Sequence, residues 1–273
     1  MIEEVSMTPA GSPIAFIASG PADAPRKIAV IATPPRNAGG RVDWVVWLGG
    51  YRSDMTGSKA TALETHVAAL GPGFLRFDYS GHGQSSGHYT EGTISTWLDD
   101  ALAVLTAYTG QGRLLLVGSS MGAWIALRIV EELRKAGQAK RLAGLVLIAP
   151  APDFTSELIE PKLGDAEREA LERQGYFETP SQYGEPYRYT KALIDDGRSS
   201  RVMAGLIETG CPVHILQGMK DDDVPYRHAL KIMEKIVGDD AILTLIRDGD
   251  HRLSRPDDLA RICDAVSAMS QDA

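Results

Sequence analysis

From Trp44 onward, short apolar runs alternate with segments whose apolar side chains recur every three or four residues. The runs are Trp44-Val45-Val46-Trp47-Leu48, Phe74-Leu75-Arg76-Phe77, Leu114-Leu115-Leu116-Val117, Leu145 to Ile148, Val213-His214-Ile215-Leu216 and Ile242 to Ile246. Between and after them lie helical patterns from about Ser58 to Leu70, Thr93 to Tyr108, Ala123 to Lys135, His228 to Ile236 and Pro256 to Met269. In the second of these, Ile94, Trp97, Leu98, Leu102 and Leu105 share one face. Strands that are apolar along their whole length and alternate with helices predict a mostly parallel sheet covered on both faces. Two earlier runs, Ile14 to Ile17 and Ile28 to Ile31, also read as strands, and Pro34-Pro35 with Gly39-Gly40 marks a loop after them.

The alternation stops between Ala151 and about Gly210, in a charged, aromatic-bearing stretch with no convincing strand. That is too long for an ordinary connection. The expected organisation is therefore one α/β core made of residues 1–150 and 211–273, with residues 151–210 inserted as a cap or lid. Tyr176, Phe177, Tyr183, Tyr187 and Tyr189, with Leu158, Ile159 and Leu193, either line an apolar pocket there or hold the cap onto the core.

Composition narrows the function. The chain has 273 residues and a net charge of −8, and it has no run of Lys and Arg, which argues against nucleic acid or an anionic membrane as the main partner. Cys211 and Cys263 are the only cysteines, so neither a disulfide framework nor a zinc-ligand spacing is present. The acidic start, Met1-Ile2-Glu3-Glu4-Val5-Ser6, is not followed by an apolar targeting core, and no stretch reaches the roughly 18 apolar residues of a spanning helix. A cytoplasmic protein without stable membrane insertion is expected. No motif calls for a cofactor or a metal: the phosphate-binding glycine pattern and its lysine are both missing.

The apolar run ending at Val117 feeds into Gly118-Ser119-Ser120-Met121-Gly122, and a helical pattern leaves it. Strand, sharp turn and helix is the context in which G-x-S-x-G exposes a nucleophilic serine, here Ser120. Glycine at both ends leaves room for a strained turn and for tight packing of helix on strand. A serine hydroxyl is a weak nucleophile at neutral pH; it needs a base, and the base needs an acid to fix its tautomer. Both follow later strands. After Val213 to Leu216 comes Gln217-Gly218-Met219-Lys220-Asp221-Asp222-Asp223-Val224-Pro225. A turn of the form G-x-x-D-x-x-V-P selects Asp221, while Asp223 also reads as a helix N-cap and Asp222 as a solvated charge. After Ile242 to Ile246 comes Arg247-Asp248-Gly249-Asp250-His251-Arg252, where His251 is the base by position. His82, in the loop Asp78 to Ser85, is its one rival, since that loop also follows a strand. His66, His88, His214 and His228 have structural readings.

Acyl transfer also needs donors for the oxyanion of the tetrahedral intermediate. Met121 N–H follows the nucleophile, and Tyr51 N–H follows the Gly49-Gly50 pair after the Trp44 to Leu48 strand. A plain glycine turn is the competing reading of that pair.

These segments together resemble the α/β-hydrolase superfamily from about Trp44 to Val266. Gly50-Tyr51, Phe77-Asp78-Tyr79-Ser80-Gly81, Val117 to Gly122, Gly218 to Asp222 with Val224-Pro225, and Asp250-His251-Arg252 resemble one subgroup within it. That is the palmitoyl-protein thioesterase and acyl-glucuronide esterase (abhydrolase domain-containing protein ten) subgroup, with its bacterial relatives. The resemblance implies an α/β-hydrolase fold, a triad of Ser120, Asp221 and His251, and a cap near Asp153 to Gly205 that includes Pro180-Ser181-Gln182-Tyr183. The expected function is a serine hydrolase, a carboxylesterase or thioesterase cleaving acyl esters or acyl thioesters through an acyl-enzyme, its partner a small-molecule or protein-linked acyl substrate. Arg52, Arg188, Arg198 and Arg201 are candidates to receive a substrate carboxylate. The alternatives are a carbon–carbon bond hydrolase or perhydrolase on the same fold, or a non-catalytic ligand-binding relative.

Overall fold

A computed structural model describes residues 3–7, 13–36, 39–180, 185–238 and 240–270. Ser181, Gln182 and Tyr183 of the cap, and Met1 and Ile2, lie outside the described residues. Eleven strands are present among the described residues: β1 (Glu3–Met7), β2 (Pro13–Ser19), β3 (Arg26–Thr33), β4 (Trp44–Leu48), β5 (Gly73–Phe77), β6 (Leu114–Ser119), β7 (Leu142–Ile148), β8 (Tyr176–Thr179), β9 (Tyr187–Thr190), β10 (Val213–Gly218) and β11 (Ala241–Ile246). Nine form one sheet in the order β1-β2-β3-β5-β4-β6-β7-β10-β11. The pairs from β5 to β11 are parallel and those among β1, β2, β3 and β5 are antiparallel.

Seven α-helices accompany the strands among the described residues: α1 (Ser58–Leu70), α2 (Ile94–Tyr108), α3 (Met121–Lys135), α4 (Asp165–Gln174), α5 (Lys191–Ser199), α6 (Tyr226–Lys235) and α7 (Pro256–Ser270). Alternation along the strands sends successive side chains to opposite faces. Val46, Leu114 and Leu116 pack with Ile94, Trp97, Ala126, Ile129 and Ile232 from α2, α3 and α6. Val45, Leu115 and Val117 pack on the other face with Leu63, Val67, Ile262 and Val266 from α1 and α7. Both faces of β4 and β6 are thus buried, which is why these strands read as unbroken apolar runs.

The segment between β7 and β10 differs from expectation in one respect. It contains a two-stranded antiparallel sheet, β8 against β9, with Phe177 opposite Tyr189. Each strand has only four residues, and Glu178 and Arg188 interrupt the apolar pattern while pairing across the hairpin. A run so short carries too few alternations to register as a strand in the sequence. Around the hairpin, Leu171 of α4, Phe177 and Ile194 of α5 form a small core of their own.

Candidate active site

β6 ends against the start of α3, and the turn between them is strained. Ser120 has φ 54° and ψ −118°, a conformation that L-residues avoid and that costs about 1–3 kcal/mol where the surroundings impose it. Its N–H is tied to Ile148 O of β7 at 2.9 Å. The flanking glycines are required by contact. A Cβ on Gly122 would stand 2.0 Å from Leu48 O and 2.5 Å from Gly49 O, and one on Gly118 would stand 2.5 Å from Gly122 O. These are backbone atoms with nowhere to move, so Gly122→Ala is expected to lower stability by about 2–4 kcal/mol. Urea unfolding measures it; a loss under about 0.5 kcal/mol would mean that β4 and α3 can separate cheaply.

Three chain-distant side chains meet at this turn. His251 Nε2 lies 3.1 Å from Ser120 Oγ, and His251 Nδ1 lies 2.8 Å from Asp221 Oδ2. The carboxylate is fully solicited: Asp221 Oδ1 accepts from Asp223 N–H at 3.0 Å and Val224 N–H at 2.7 Å, and Oδ2 also accepts from Gln217 Nε2 at 3.0 Å. A carboxylate donates nothing, so His251 Nδ1 carries the proton and Nε2 is left to accept from the serine hydroxyl. The Asp221 side chain is wholly buried, whereas His251 keeps partial access to solvent.

The other two aspartates behave differently. The N-cap of α6 is Pro225, not Asp223. Asp222 and Asp223 line the cavity beside His251. Burial raises the carboxyl pKa of Asp223, and the His251 ring opposes the shift. Asp221, Asp223 and His251 each bring a potential metal-ligand atom within 4.8 Å of the others. In that cluster Asp221 already accepts from Gln217 and two main-chain amides, and His251 Nδ1 is turned toward it.

The Gly49-Gly50-Tyr51 loop runs along the turn: a Cβ on Gly50 would stand 3.3 Å from both Ser119 O and Ser120 Cβ. Met121 opens α3, so its N–H belongs to the first turn of a helix, where no intrahelical acceptor exists and the helix dipole is positive. Tyr51, Ser120, Met121 and His251 lie on the wall of a cavity of about 280 Å³.

Ala151, Phe154, Leu158, Ile159, Phe177, Tyr187, Tyr189 and Val224 supply most of the apolar lining. Of the cap residues singled out from the sequence, Leu193 is instead buried in the main core, and Tyr176 lies under the Arg188 guanidinium at 4.2 Å. The arginines considered as carboxylate receptors are engaged elsewhere. Arg188 pairs with Glu178, Arg198 with Glu160 and Asp195, and Arg201 with Asp153 and Glu157. Arg52 donates to the Glu185 and Pro186 carbonyls. None of the four lines the cavity, whose charged walls are Lys162, Glu167, Asp222 and Asp223.

Two supporting groups escaped the sequence reading. Gln217, wholly buried at the end of β10, donates from Nε2 to Asp221 Oδ2 and to the Gly218 and Val224 carbonyls, holding the acid turn. A polar residue closing an apolar strand was its only signal. Lys59 reaches from α1 to the Arg252 carbonyl, one residue beyond His251; burial lowers its pKa to about 8. Nothing in a helical Lys marks it for that loop.

Asp78 is 2 % exposed and accepts from Met55 N–H at 2.6 Å and Gln84 N–H at 2.8 Å. Burial pushes its pKa up to about 6, although both amides favour the anion. The folded protein therefore binds a proton that the unfolded chain has already released between about pH 4 and pH 6. That contribution to stability is present below about pH 4 and is lost as the pH rises through 6. Measured against Asp78→Asn, the wild type should lose roughly 3 kcal/mol across that window. Urea titrations of both proteins at pH 4, 5, 6 and 7 check this; a constant difference would mean Asp78 is ionised throughout.

The sequence model described as the Alpha/beta hydrolase family matches residues 15–262. This chain belongs to the alpha/beta hydrolase family. Among its relatives in that family, mouse palmitoyl-protein thioesterase ABHD10, mitochondrial, is 32% identical over 222 residues, spanning 81% of this chain and 72% of that protein. The structure of mouse alpha/beta hydrolase domain-containing protein 10 superposes with a TM-score of 0.80 at 28% identity, covering 93% of this chain and 97% of that one. An Agrobacterium vitis S4 protein described as a hydrolase superposes with a TM-score of 0.90 at 52% identity, covering 98% of this chain and 100% of that one. The likeness falls on the subgroup that the motifs resemble. Among the described residues of this alpha/beta hydrolase, no helix is long and apolar enough to cross a membrane.

Proposed function

We propose that this alpha/beta hydrolase is a serine hydrolase that cleaves acyl esters or acyl thioesters through an acyl-enzyme. Ser120 Oγ attacks the acyl carbon while its proton passes to His251 Nε2. The oxyanion sits between the Tyr51 and Met121 amides, at the positive end of α3. His251 then returns the proton to the leaving alkoxide or thiolate, and water attacks the acyl-enzyme by the same route. Asp221 orients His251 and stabilises the imidazolium. The single observation that carries this reading is the unbroken chain from Asp221 Oδ2 through His251 to Ser120 Oγ, 2.8 Å and 3.1 Å, at the wall of a cavity with both apolar and charged lining.

The thioester half of the proposal draws on the palmitoyl-protein thioesterase name of the mouse relative. It is also chemically economical, because a thiolate leaving group, with a thiol pKa near about 8.5, asks less protonation of His251 than an alkoxide. We read residues 151–210 as the cap that receives the acyl group, since Leu158, Ile159, Phe177, Tyr187 and Tyr189 all face the cavity from there. A neutral acyl group fits that lining better than an acidic one.

A matched panel of p-nitrophenyl esters and acyl thioesters of increasing chain length tests the assignment. The value of kcat/KM should rise with acyl length until the cavity is filled, in parallel for both series. A profile indifferent to acyl length would remove the cavity from substrate recognition, and failure of a fluorophosphonate to label Ser120 would overturn the serine hydrolase reading itself.

A further inference from the structure

A second imidazole lies beneath the oxyanion loop and takes no part in the chain from Ser120 to Asp221. His82 is 4 % exposed, and both ring nitrogens are engaged. Nδ1 lies 3.1 Å from Ser80 O, and Arg52 N–H donates to Nε2 at 3.0 Å. A carbonyl can only accept, so Nδ1 carries the hydrogen and Nε2 is bare. The rings of Tyr51, Tyr79 and Trp97 meet the imidazole edge-on, with centroids 6.4, 5.9 and 5.3 Å away. Trp97 Nε1 donates to the same Ser80 carbonyl at 3.1 Å, fixing the far side of the arrangement. Burial lowers the pKa of the ring, against the pull of the Ser80 carbonyl and of Asp100, and so disfavours the cation that would aim a second N–H at Arg52.

The loop above it is a tight turn. Ser53 N–H closes onto Gly50 O at 3.1 Å, and Arg52, the third residue of the turn, has φ 58°. In a turn of this kind the third residue's N–H points away from the closing bond and has no local acceptor. His82 supplies one from 30 residues away. Because N–H and C=O are held opposite one another in a planar trans peptide, two bonds settle the loop. The Ser53 bond fixes the Gly50–Tyr51 peptide, which carries the Tyr51 N–H, and the His82 bond fixes the Tyr51–Arg52 peptide that follows.

We propose that His82 is a positioning residue for the oxyanion hole: by accepting from Arg52 N–H through a bare Nε2, it holds the Gly50 to Ser53 turn in the orientation that aims Tyr51 N–H at the oxyanion. This rests on the reading of Tyr51 as an oxyanion donor. The Asp78 to Ser85 loop, which the sequence offers only for a rival base, then serves catalysis at one remove. Its histidine neither moves a proton nor touches substrate.

Two variants and one spectrum test it. His82→Leu removes the acceptor, whereas His82→Gln can offer Oε1 in its place. In His82→Leu, kcat toward p-nitrophenyl butyrate should fall roughly 10- to 100-fold, the loss of part of one oxyanion donor. KM should stay within about threefold, because ground-state binding does not use the oxyanion hole. Affinity for a trifluoromethyl ketone, which forms an oxyanion on Ser120, should fall in parallel with kcat, and His82→Gln should recover most of both. A folded His82→Leu protein with wild-type kcat overturns the proposal, as does a Gln variant as impaired as the Leu variant. If His82→Leu does not fold, or the wild type cleaves no ester, the ¹⁵N spectrum of the wild-type histidines still decides, with the His82 signals assigned by their loss in His82→Gln. The Nδ1–H tautomer with a hydrogen-bonded, unprotonated Nε2 is expected, and an Nε2–H tautomer overturns the proposal. An inert wild type bearing the expected tautomer would overturn the hydrolase reading and leave the loop contact standing.

Discussion

Ser120→Ala is expected to lower kcat toward a p-nitrophenyl acyl ester by roughly 10⁴-fold or more. Removing Oγ takes away the bond-forming atom and the partner of His251 Nε2, while the Tyr51 and Met121 amides and the cavity remain. What survives should be the small rate that binding and an oxyanion hole confer on attack by water. Stability should change little. The main-chain strain at φ 54° is imposed on alanine as on serine, and the Oγ that is lost bonds only to a partly solvated ring. A drop in activity without a matching drop in Tm is therefore the expected pair of results. A variant that keeps more than about a hundredth of wild-type kcat would remove Ser120 from the role of nucleophile.

Asp221→Asn should cost nearly as much, by a different route. The carboxylate accepts from four donors, namely Asp223 N–H, Val224 N–H, Gln217 Nε2 and His251 Nδ1. An amide has one accepting end. If the Asn oxygen faces the two main-chain amides, its NH₂ faces Gln217 Nε2 and His251 Nδ1. Nδ1 must then accept, the ring proton moves to Nε2, and the Ser120 hydroxyl loses its base. The expected fall in kcat is about 10³- to 10⁴-fold, the scale of a wrong histidine tautomer in a serine triad. The unrelieved contact with Gln217 should also lower stability by about 1–3 kcal/mol. Asp222→Asn and Asp223→Asn serve as comparisons, since neither side chain bonds to the His251 ring. Loss of kcat in Asp223→Asn with near-normal Asp221→Asn would transfer the acid's role.

Much of the architecture could be read directly because burial leaves a mark on composition. β4, β6 and β7 are covered on both faces, so they appear as unbroken apolar runs, and α2 shows its buried face in Ile94, Trp97, Leu98 and Leu105. The turn at Ser120 was legible for a steric reason: no residue but glycine fits at Gly118 and Gly122, where neighbouring backbones approach too closely for a Cβ. The β8–β9 hairpin was not legible, because two four-residue strands rich in Tyr, Glu and Arg look like any polar surface. Leu193 and Phe177 looked equivalent in sequence, yet one packs in the main core and the other lines the cavity. Hydrophobicity says that a side chain is buried without saying against what.

Chain order and local chemistry alone were enough to specify a layered α/β hydrolase fold with Ser120, Asp221 and His251 each placed just beyond a strand. Parallel strands side by side bring their C-terminal ends to one edge of the sheet, so residues 30 and 131 positions apart have few other places to go. Only the tertiary structure decided that Gln217 holds the Asp221 carboxylate, that His82 sits under Arg52 rather than beside Ser120, and which cap side chains enclose the cavity. These outcomes depend on hydrogen-bond directions and on contacts between segments far apart in the chain, and neither leaves a periodic trace in the order of the residues.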